Sequence, residues 1–242
     1  MYRYMLGIDF GQAQDYTAIV IVQRNETAMQ DGLALRPGDP IAKEALTLVS
    51  SYELRHIERP KLGTPFPDIV GRIGTLLQAK ELASSERVCI IDLTGCGRPI
   101  LDMMRRAGIS PIVALNITGG DMARQTPEGF NVPKKELVTA LQMYLQSGRL
   151  KIAAALPETQ ALKNEMLNFK VKVRASTGEE SYEAWRENDH DDMVLATAMV
   201  CWYAHLHDDT NRVIDEERIA KDADYDILHF GTREENTRGR GR

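Results

Sequence analysis

The sequence predicts an α/β protein in which helices cover a mixed β-sheet. Three strand-like segments come first, at residues 2–10, at 17–23 and within 45–58. The short polar link between the first two favours an antiparallel hairpin. Strand and helix patterns then alternate up to about residue 205, which is typical of a sheet whose strands are joined by helical crossovers.

Apolar periodicity, with Gly and Pro at the element ends, predicts the later elements. We predict helices over 68–82, 98–107, 133–147, 157–168 and 190–205, strands over 88–92 and 111–115, a β-hairpin over 169–185 turning near Thr177–Gly178, and a loop over 26–43. The chain is therefore divided into one domain, residues 1–207, and a charged C-terminal extension, residues 208–242. The extension has too little apolar content to pack a core of its own, which favours partial disorder.

Composition limits the possible partners. The chain has 242 residues, 43% of them hydrophobic, and a formal net charge of −5. A protein that binds DNA by overall attraction is usually basic, so any contact with nucleic acid must use local basic patches.

The cysteines Cys89, Cys96 and Cys201 form no CxxC pair and are expected to be thiols in a reducing compartment. The longest apolar run, 193–204, is too short to span a bilayer, so a soluble intracellular protein is expected.

Acidic residues stand at three places where elements begin or end. Asp9 ends the first strand, Asp92 ends the strand VCIID, and Asp191 and Asp192 open the last helix. Each position has an ordinary structural explanation: a turn hydrogen bond for Asp9, loop entry for Asp92, and helix capping for the pair. Asp15, in the first hairpin turn, is explained equally well as a turn residue.

Taken together, the acidic positions favour a metal site. If the two strands are neighbours, their carboxylates and that of the helix converge on one point. Mg²⁺ and similar hard ions prefer oxygen ligands. Two such ions can activate a water molecule and stabilise the leaving oxygen when a phosphodiester is hydrolysed. The pattern therefore indicates phosphodiester hydrolysis that depends on a divalent metal.

Three segments, GIDFGQAQDYTA, IIDLTGCGRPILDMM and HDDMVLATAM, resemble the nuclease domain of bacteriophage terminase large subunits. With KKELV, SGRLKIA and the hairpin before HDD, the resemblance covers about residues 6–205. It implies an RNase H-like mixed sheet of five strands, flanked by helices, with an additional β-hairpin. It also implies that Asp9, Asp92 and Asp192 bind two Mg²⁺ or Mn²⁺ ions, with Asp15 and Asp191 as secondary ligands. Asp192 is preferred to Asp191 because related nucleases carry their acid four residues before the position of Ala196.

The resemblance further implies an endonuclease that cuts phage DNA concatemers during packaging, with low sequence specificity, in the cytoplasm of the infected bacterium. Its expected partners are double-stranded DNA and a packaging ATPase, a portal or a small terminase subunit, with no membrane. The chain departs from whole large subunits because it contains no GxxxxGK[ST] phosphate-binding motif. An isolated domain and a separately encoded nuclease both remain open.

Basic residues at two places are candidates for DNA contact. Lys170, Lys172 and Arg174 alternate along one predicted strand and so share a face, which suits either a phosphate backbone or a protected edge strand. Lys134 and Lys135 begin a helix, where the helix dipole disfavours cations, which points to a phosphate partner.

His190 is interpreted as a hydrogen-bond partner of a carboxylate or a phosphate, or as a capping residue. The RGRGR tail fits nucleic-acid binding or a disordered end.

Other functions fit parts of the pattern. A junction-resolving or transposase-like nuclease of the same fold would have a similar metal site. The Gly-rich turns after Asp9 and Asp92 are also found in actin-like ATPases and sugar kinases, in which the HDD helix would have no evident purpose. A non-catalytic assembly module is disfavoured by acids at all three positions.

Overall fold

The structure is a computed structural model that describes residues 2–11, 15–30, 33–34, 46–95, 97–173, 180–184 and 191–207. Its strands are β1 Tyr4–Asp9, β2 Ala18–Gln30, β3 Leu33–Ala34, β4 Leu46–Glu58, β5 Arg87–Asp92, β6 Ile112–Thr118, β7 Arg124–Thr126, β8 Gly129–Pro133, β9 Leu150–Ile152, β10 Phe169–Val173 and β11 Glu180–Ala184. Its helices are α1 Phe66–Leu77, α2 Lys80–Ala83, α3 Arg98–Arg106, α4 Lys134–Gln146, α5 Thr159–Asn168 and α6 Asp192–Leu206. The predicted α/β class is confirmed.

One mixed sheet holds most of the strands, in the order β7-β8-β6-β5-β1-β2-β4-β9, with β3 paired to β2. β1 runs antiparallel to β2 and parallel to β5, and β5 runs parallel to β6. The five central strands, β4-β2-β1-β5-β6, are those that the sequence predicts. β10 and β11 form a separate antiparallel pair, as predicted, and the expected turn at 177–178 lies outside the described residues.

Some elements differ from the prediction. The segment 26–43 was expected to be a loop, but β2 continues to Gln30 and β3 pairs with its end. Backbone hydrogen bonds form this pairing, so the polar side chains there do not prevent it. The strands β7, β8 and β9 were not predicted, because segments of three to five residues carry little periodic signal.

Two hydrophobic layers lie on opposite faces of the sheet. Residues alternate between them along each strand: Met5, Val88 and Ile90 pack in the layer that contains α4 and α6, whereas Leu6 and Ile91 pack in the layer that contains α1 and α3. This is the two-residue period of a strand. It places both strand-end acids on the same face as α6, because Asp9 continues the register of Met5 and Asp92 that of Val88 and Ile90.

Helix α6 is the central helix of its layer. Every residue from 192 to 204 is buried, so the helix has no solvent-facing stripe.

None of the helices within the described ranges combines the length and the apolar character needed to cross a bilayer. Cys89 and Cys201 are buried free thiols, as expected, and Cys96 lies outside the described residues.

The described residues divide into two compact units. The first holds the central sheet, the helices and all the candidate site residues that the structure describes. The second includes the distal parts of β2 and β4, residues 26–30 and 46–49, together with β3. The predicted boundary at residue 207 stays a prediction, because the extension lies outside the described residues.

Candidate active site

Asp9 and Asp92 stand side by side where two parallel strands end. The register pairs Ile8 with Ile91, so the following residues, Asp9 and Asp92, leave the sheet at the same edge. Both are buried, with exposed fractions of 8% and 7%. The sequence produces this arrangement because an apolar strand ending in Asp occurs twice and the two strands pair directly.

Asp192 joins them from the first turn of α6, and a glycine permits its approach. A β-carbon at Gly7 would lie 2.1 Å from the carbonyl oxygen of Ala196 and 2.9 Å from Cγ2 of Val200. Only a residue without a side chain lets the helix backbone come so close to β1. Because Asp192 lies one turn before Ala196, this contact brings its carboxylate to the end of β1. Asp192 is 7% exposed.

All three carboxyl groups have raised pKa values, chiefly because they are buried. Burial raises the pKa of Asp9 well above its ordinary value, and the negative charges of Asp92, Asp192 and Asp191 raise it further. Burial raises the pKa of Asp92, against hydrogen bonds from Thr94. Burial, and then the charges of Asp191 and Asp15, raise the pKa of Asp192 to about 7. The site therefore opposes the ionised form of its own carboxyl groups.

A hydrogen-bonded turn fixes Asp92. Its Oδ1 accepts a hydrogen bond of 2.7 Å from the Thr94 backbone N–H, and the Thr94 hydroxyl oxygen accepts one of 2.7 Å from the N–H of Ile117 in β6. A short polar side chain that hydrogen-bonds two residues ahead is the usual way to close such a turn. The ordinary structural role that the sequence suggested for Asp92 is thus present beside its place in the acidic cluster.

Among the described residues, Lys134 is a cation whose charge acts on both strand-end acids, Asp9 and Asp92. Its charge lowers the pKa of both. Its ammonium group donates a hydrogen bond of 2.7 Å to Oδ2 of Asp191, and both side chains are about three-quarters buried. The sequence marked Lys134 as a cation at an unfavourable helix position, and the structure places it against carboxylates. Contact with DNA phosphate stays a prediction for this residue.

The other predicted residues lie in different surroundings. Asp15 is exposed in the β1–β2 connection, and its charge reaches Asp192. Lys135 donates a hydrogen bond of 2.6 Å to Asp121 at the surface. Lys170 and Lys172 both lie on β10, opposite Glu183 and Ser181 in register. Arg174, His190 and the RGRGR tail lie outside the described residues.

Two residues at this site carried no signal in the sequence. Glu165, in α5, is buried, and its carboxylate accepts hydrogen bonds from the first turn of α6. Arg59, just after β4, contacts Glu165 and lowers the pKa of Asp192. Their partners lie 28 and 106 residues away in the chain, so no local spacing could have revealed them.

The donor set is suited to a hard divalent ion. All the acids that meet here offer oxygen ligands, which such ions prefer, and their mutual repulsion falls when positive charge is added. Within the described ranges, no group of three or more His, Cys, Asp or Glu side chains already has the arrangement that would hold a metal ion. The chemistry of the residues therefore fits, whereas their side-chain positions are not those of a closed metal site.

Solved structures with similar architecture were found. The large terminase nuclease from thermophilic phage G20c is 20% identical to this chain, over 82% of it and 80% of that protein, with a TM-score of 0.50. The chain has an RNase H-like fold. The RNase H-like layout implied by the sequence is thereby confirmed, with its five central strands extended at both edges.

Two further structures are similar to this RNase H-like chain. The large terminase (g2p) nuclease domain of bacteriophage SPP1, with bound Mn, is 12% identical over 81% of this chain and 84% of that one, with a TM-score of 0.45. RuvC of Thermus thermophilus is 15% identical over 84% of this chain and 96% of that one, with a TM-score of 0.33. No protein-family model and no curated protein sequence matches the chain.

Proposed function

We propose that this chain is an endonuclease that hydrolyses phosphodiester bonds in duplex DNA and depends on divalent metal ions. The observation that carries the proposal is the convergence of Asp9, Asp92 and Asp192, three buried acids from two neighbouring strands and the helix packed on them. A protein core gains nothing from like charges placed together. Strongly perturbed acids of this kind concentrate at functional sites.

Asp9, Asp92 and Asp192 would hold two Mg²⁺ or Mn²⁺ ions, with Asp15 and Asp191 as secondary ligands. When bound, the ions would supply an activated water and stabilise the leaving oxygen. The three carboxylates must ionise to bind metal, and their raised pKa values mean that they do so most readily when positive charge is present.

Lys134 has a separate role in this proposal. Its ion pair holds the Asp191 carboxylate, and its charge partly neutralises Asp9 and Asp92. This pairing supports Asp192 over Asp191 as a ligand, because Asp191 already pairs with Lys134, whereas Asp192 is buried and its charge acts on Asp9. Because its charge acts on Asp9 and Asp92, Lys134 would also attract a phosphate positioned for cleavage.

The biological setting we propose is phage DNA packaging. The motif resemblance to terminase large subunits and the shared fold support cleavage of concatemeric DNA in the cytoplasm of an infected bacterium. The chain contains neither a zinc-finger spacing nor a recognisable helix-turn-helix signature, so low sequence specificity is expected. The proposed partners are double-stranded DNA and a packaging ATPase, a portal or a small terminase subunit.

The decisive experiment is incubation of the purified chain with supercoiled plasmid and Mg²⁺ or Mn²⁺, beside a sample in excess EDTA. Nicking and linearisation are expected with metal only. Cutting that persists undiminished in EDTA, or its absence with every divalent ion, contradicts the proposal. A four-way junction in a parallel reaction identifies a junction-resolving enzyme if it is cut in strong preference to plasmid. ATP turnover without DNA would identify a member of the ATPase and kinase class instead.

A further inference from the structure

Glu165 caps the helix that carries Asp192. Its Oε2 accepts hydrogen bonds from the backbone N–H groups of Met193 and Val194, at 3.1 and 3.3 Å. These N–H groups belong to the first turn of α6 and have no acceptor within the helix. Glu165 is 9% exposed, and it comes from α5, a different element from those that carry the three acids. The start of α6 is thus fixed by a buried carboxyl group.

Arg59 holds the other oxygen of this carboxylate. Its Nη1 donates to Oε1 of Glu165 at 3.3 Å, and its Nη2 lies 3.7 Å from Oε2 of Glu158. The guanidinium carbon lies 4.8 Å from the centre of the Tyr16 ring, in the connection that also carries Asp15. The network therefore joins the β1–β2 connection, the end of β4 and helix α5 to the start of α6.

A buried acid at this position destabilises the fold more than a purely structural contact would require. Burial, and then the charge of Asp192, raise the pKa of Glu165 to about 8, although Arg59 and the two backbone N–H groups oppose this. Gln could supply only one of the two acceptors, because its amide nitrogen would face either the N–H groups of α6 or the Arg59 guanidinium. The position of the residue next to the acidic cluster therefore points to a role in that cluster.

We propose that Glu165, held by Arg59, is a positioning residue that fixes the first turn of α6 and so aims the Asp192 carboxylate at the metal ions. Three protein donors already engage its two oxygens, so it acts through Asp192 and not as a further ligand. The inference rests on the proposed metal-dependent function. Residues that orient metal ligands in this way typically change metal affinity by ten- to a hundredfold when they are replaced.

The test measures Mn²⁺ binding by the electron paramagnetic resonance signal of the free ion, which needs no cleavage assay. Four full-length proteins are compared: the wild type, E165Q, the control E158Q, and R59M. Glu158→Gln is a matched control because Glu158 also contacts Arg59 but has no hydrogen bond to α6 among the described contacts. E165Q and R59M are expected to bind Mn²⁺ on the order of tenfold more weakly, and E158Q is expected to match the wild type.

A second comparison separates positioning from general structural support. In the D192N background, E165Q is expected to cause no further loss of Mn²⁺ affinity, since the ligand that Glu165 orients has been removed. A full additional loss there, or wild-type affinity in E165Q, overturns the inference. If E165Q does not fold, R59M carries the test, and wild-type Mn²⁺ affinity in R59M overturns it. A wild-type chain that binds no Mn²⁺ overturns the proposed function together with this inference.

Discussion

At the scale of single residues, the acidic cluster lowers the stability of the folded state, and the proposed metal binding would restore it. Asp9, Asp92 and Asp192 are buried, and each has a pKa raised chiefly by burial, with neighbouring acids adding to the effect at Asp9 and Asp192. Without added cations, ionising one carboxyl group disfavours ionising the next. The fold therefore keeps at this point a local destabilisation that a divalent ion would relieve.

Replacing Asp9, Asp92 or Asp192 singly with Asn should abolish metal-dependent cleavage while the fold survives. In EDTA, each variant should be more stable than the wild type by roughly 1–3 kcal/mol, because one repelling charge has been removed. Plasmid nicking and thermal unfolding in EDTA measure the two effects. Asp191→Asn serves as the comparison and should be milder, since Asp191 is partly exposed and paired with Lys134. An inactive D191N beside an active D192N would reverse the assignment.

The raised pKa values also predict how stability depends on pH. Asp192 and Glu165 have ordinary pKa values of 3.8 and 4.5, which folding raises to about 7 and about 8. Between these limits the folded state binds more protons than the unfolded state, so stability in EDTA should fall as pH rises from about 5 to 8, and level off above that. Each group contributes a slope of up to about 1.4 kcal/mol per pH unit.

Denaturant unfolding at several pH values in EDTA measures this slope, and D192N, which lacks one of the two groups, should flatten it. The Glu58–Arg72 ion pair acts in the opposite direction, because Arg72 lowers the pKa of Glu58, but its contribution is lost only below the ordinary value of 4.5. Stability that increases steadily from pH 5 to pH 8 would contradict the prediction.

At the scale of elements, the site depends on how closely α6 approaches β1. The helix is buried from residue 192 to 204 and lies against the strand at Gly7, where the Ala196 carbonyl occupies the space that a side chain would need. The same helix begins at Asp192, so its distance from the sheet sets the distance between Asp192 and Asp9. Packing and the proposed metal binding are therefore linked through one glycine.

Gly7→Ala should destabilise the protein by about 1–3 kcal/mol or more, because the helix backbone cannot yield as the end of a flexible side chain would. Metal-dependent cleavage should fall strongly, since Asp192 moves away from Asp9. Gly71→Ala in α1 is the matched control: its β-carbon would meet nothing within 4 Å, and alanine is favoured over glycine in a helix. Thermal unfolding compares the two variants, and equal stability of G7A and the wild type would contradict the close packing.

The β10–β11 pair is the element for which we propose DNA contact. Replacing Lys170, Lys172 and Arg174 together with Ala should weaken DNA binding and reduce its dependence on salt, because fewer counterions are released. A fluorescence titration of duplex DNA at several salt concentrations measures the slope. A triple variant of exposed lysines elsewhere controls for net charge, at Lys61, Lys80 and Lys151. An unchanged salt slope in the hairpin variant would show that these side chains do not contact phosphate.

At the scale of the whole molecule, the net charge predicts that the proposed nuclease is delivered to its substrate by a partner. The net charge is −5, so the chain has no overall attraction to DNA. Linking such an enzyme to a partner that already holds DNA raises its effective concentration at the substrate. The charged segment 208–242 is the part that we expect to act as the tether.

Cleavage by the chain alone should therefore be slow and should require high protein concentration. Deleting residues 208–242 should leave Mn²⁺ binding intact, because the described acids lie before residue 193, but should impair recruitment by a packaging ATPase, a portal or a small terminase subunit. Metal binding and partner pull-down measure the two effects. DNA binding by the isolated full-length chain in the nanomolar range at physiological salt would contradict this view.

The sequence by itself determined the α/β class, the order of the main elements and the three places where acids stand. These are local properties: apolar strands such as MLGID and VCIID end in Asp, and the helix of residues 192–206 begins with one. Periodicity and spacing record such features directly. The resemblance in motifs added the five-stranded layout, which the fold confirms. The very short strands carried too little pattern to be seen.

Only the tertiary structure decided which side chains meet. The pairing of β1 with β5 puts Asp9 beside Asp92, the space at Gly7 admits α6, and Lys134 and Glu165 reach the cluster from elsewhere in the chain. Glu165 lies in a helix whose sequence gives no hint of a partner near residue 193, because that contact forms between segments brought together by folding. Local sequence encodes elements, whereas long-range packing selects the neighbours of each side chain and thereby the charges that it feels.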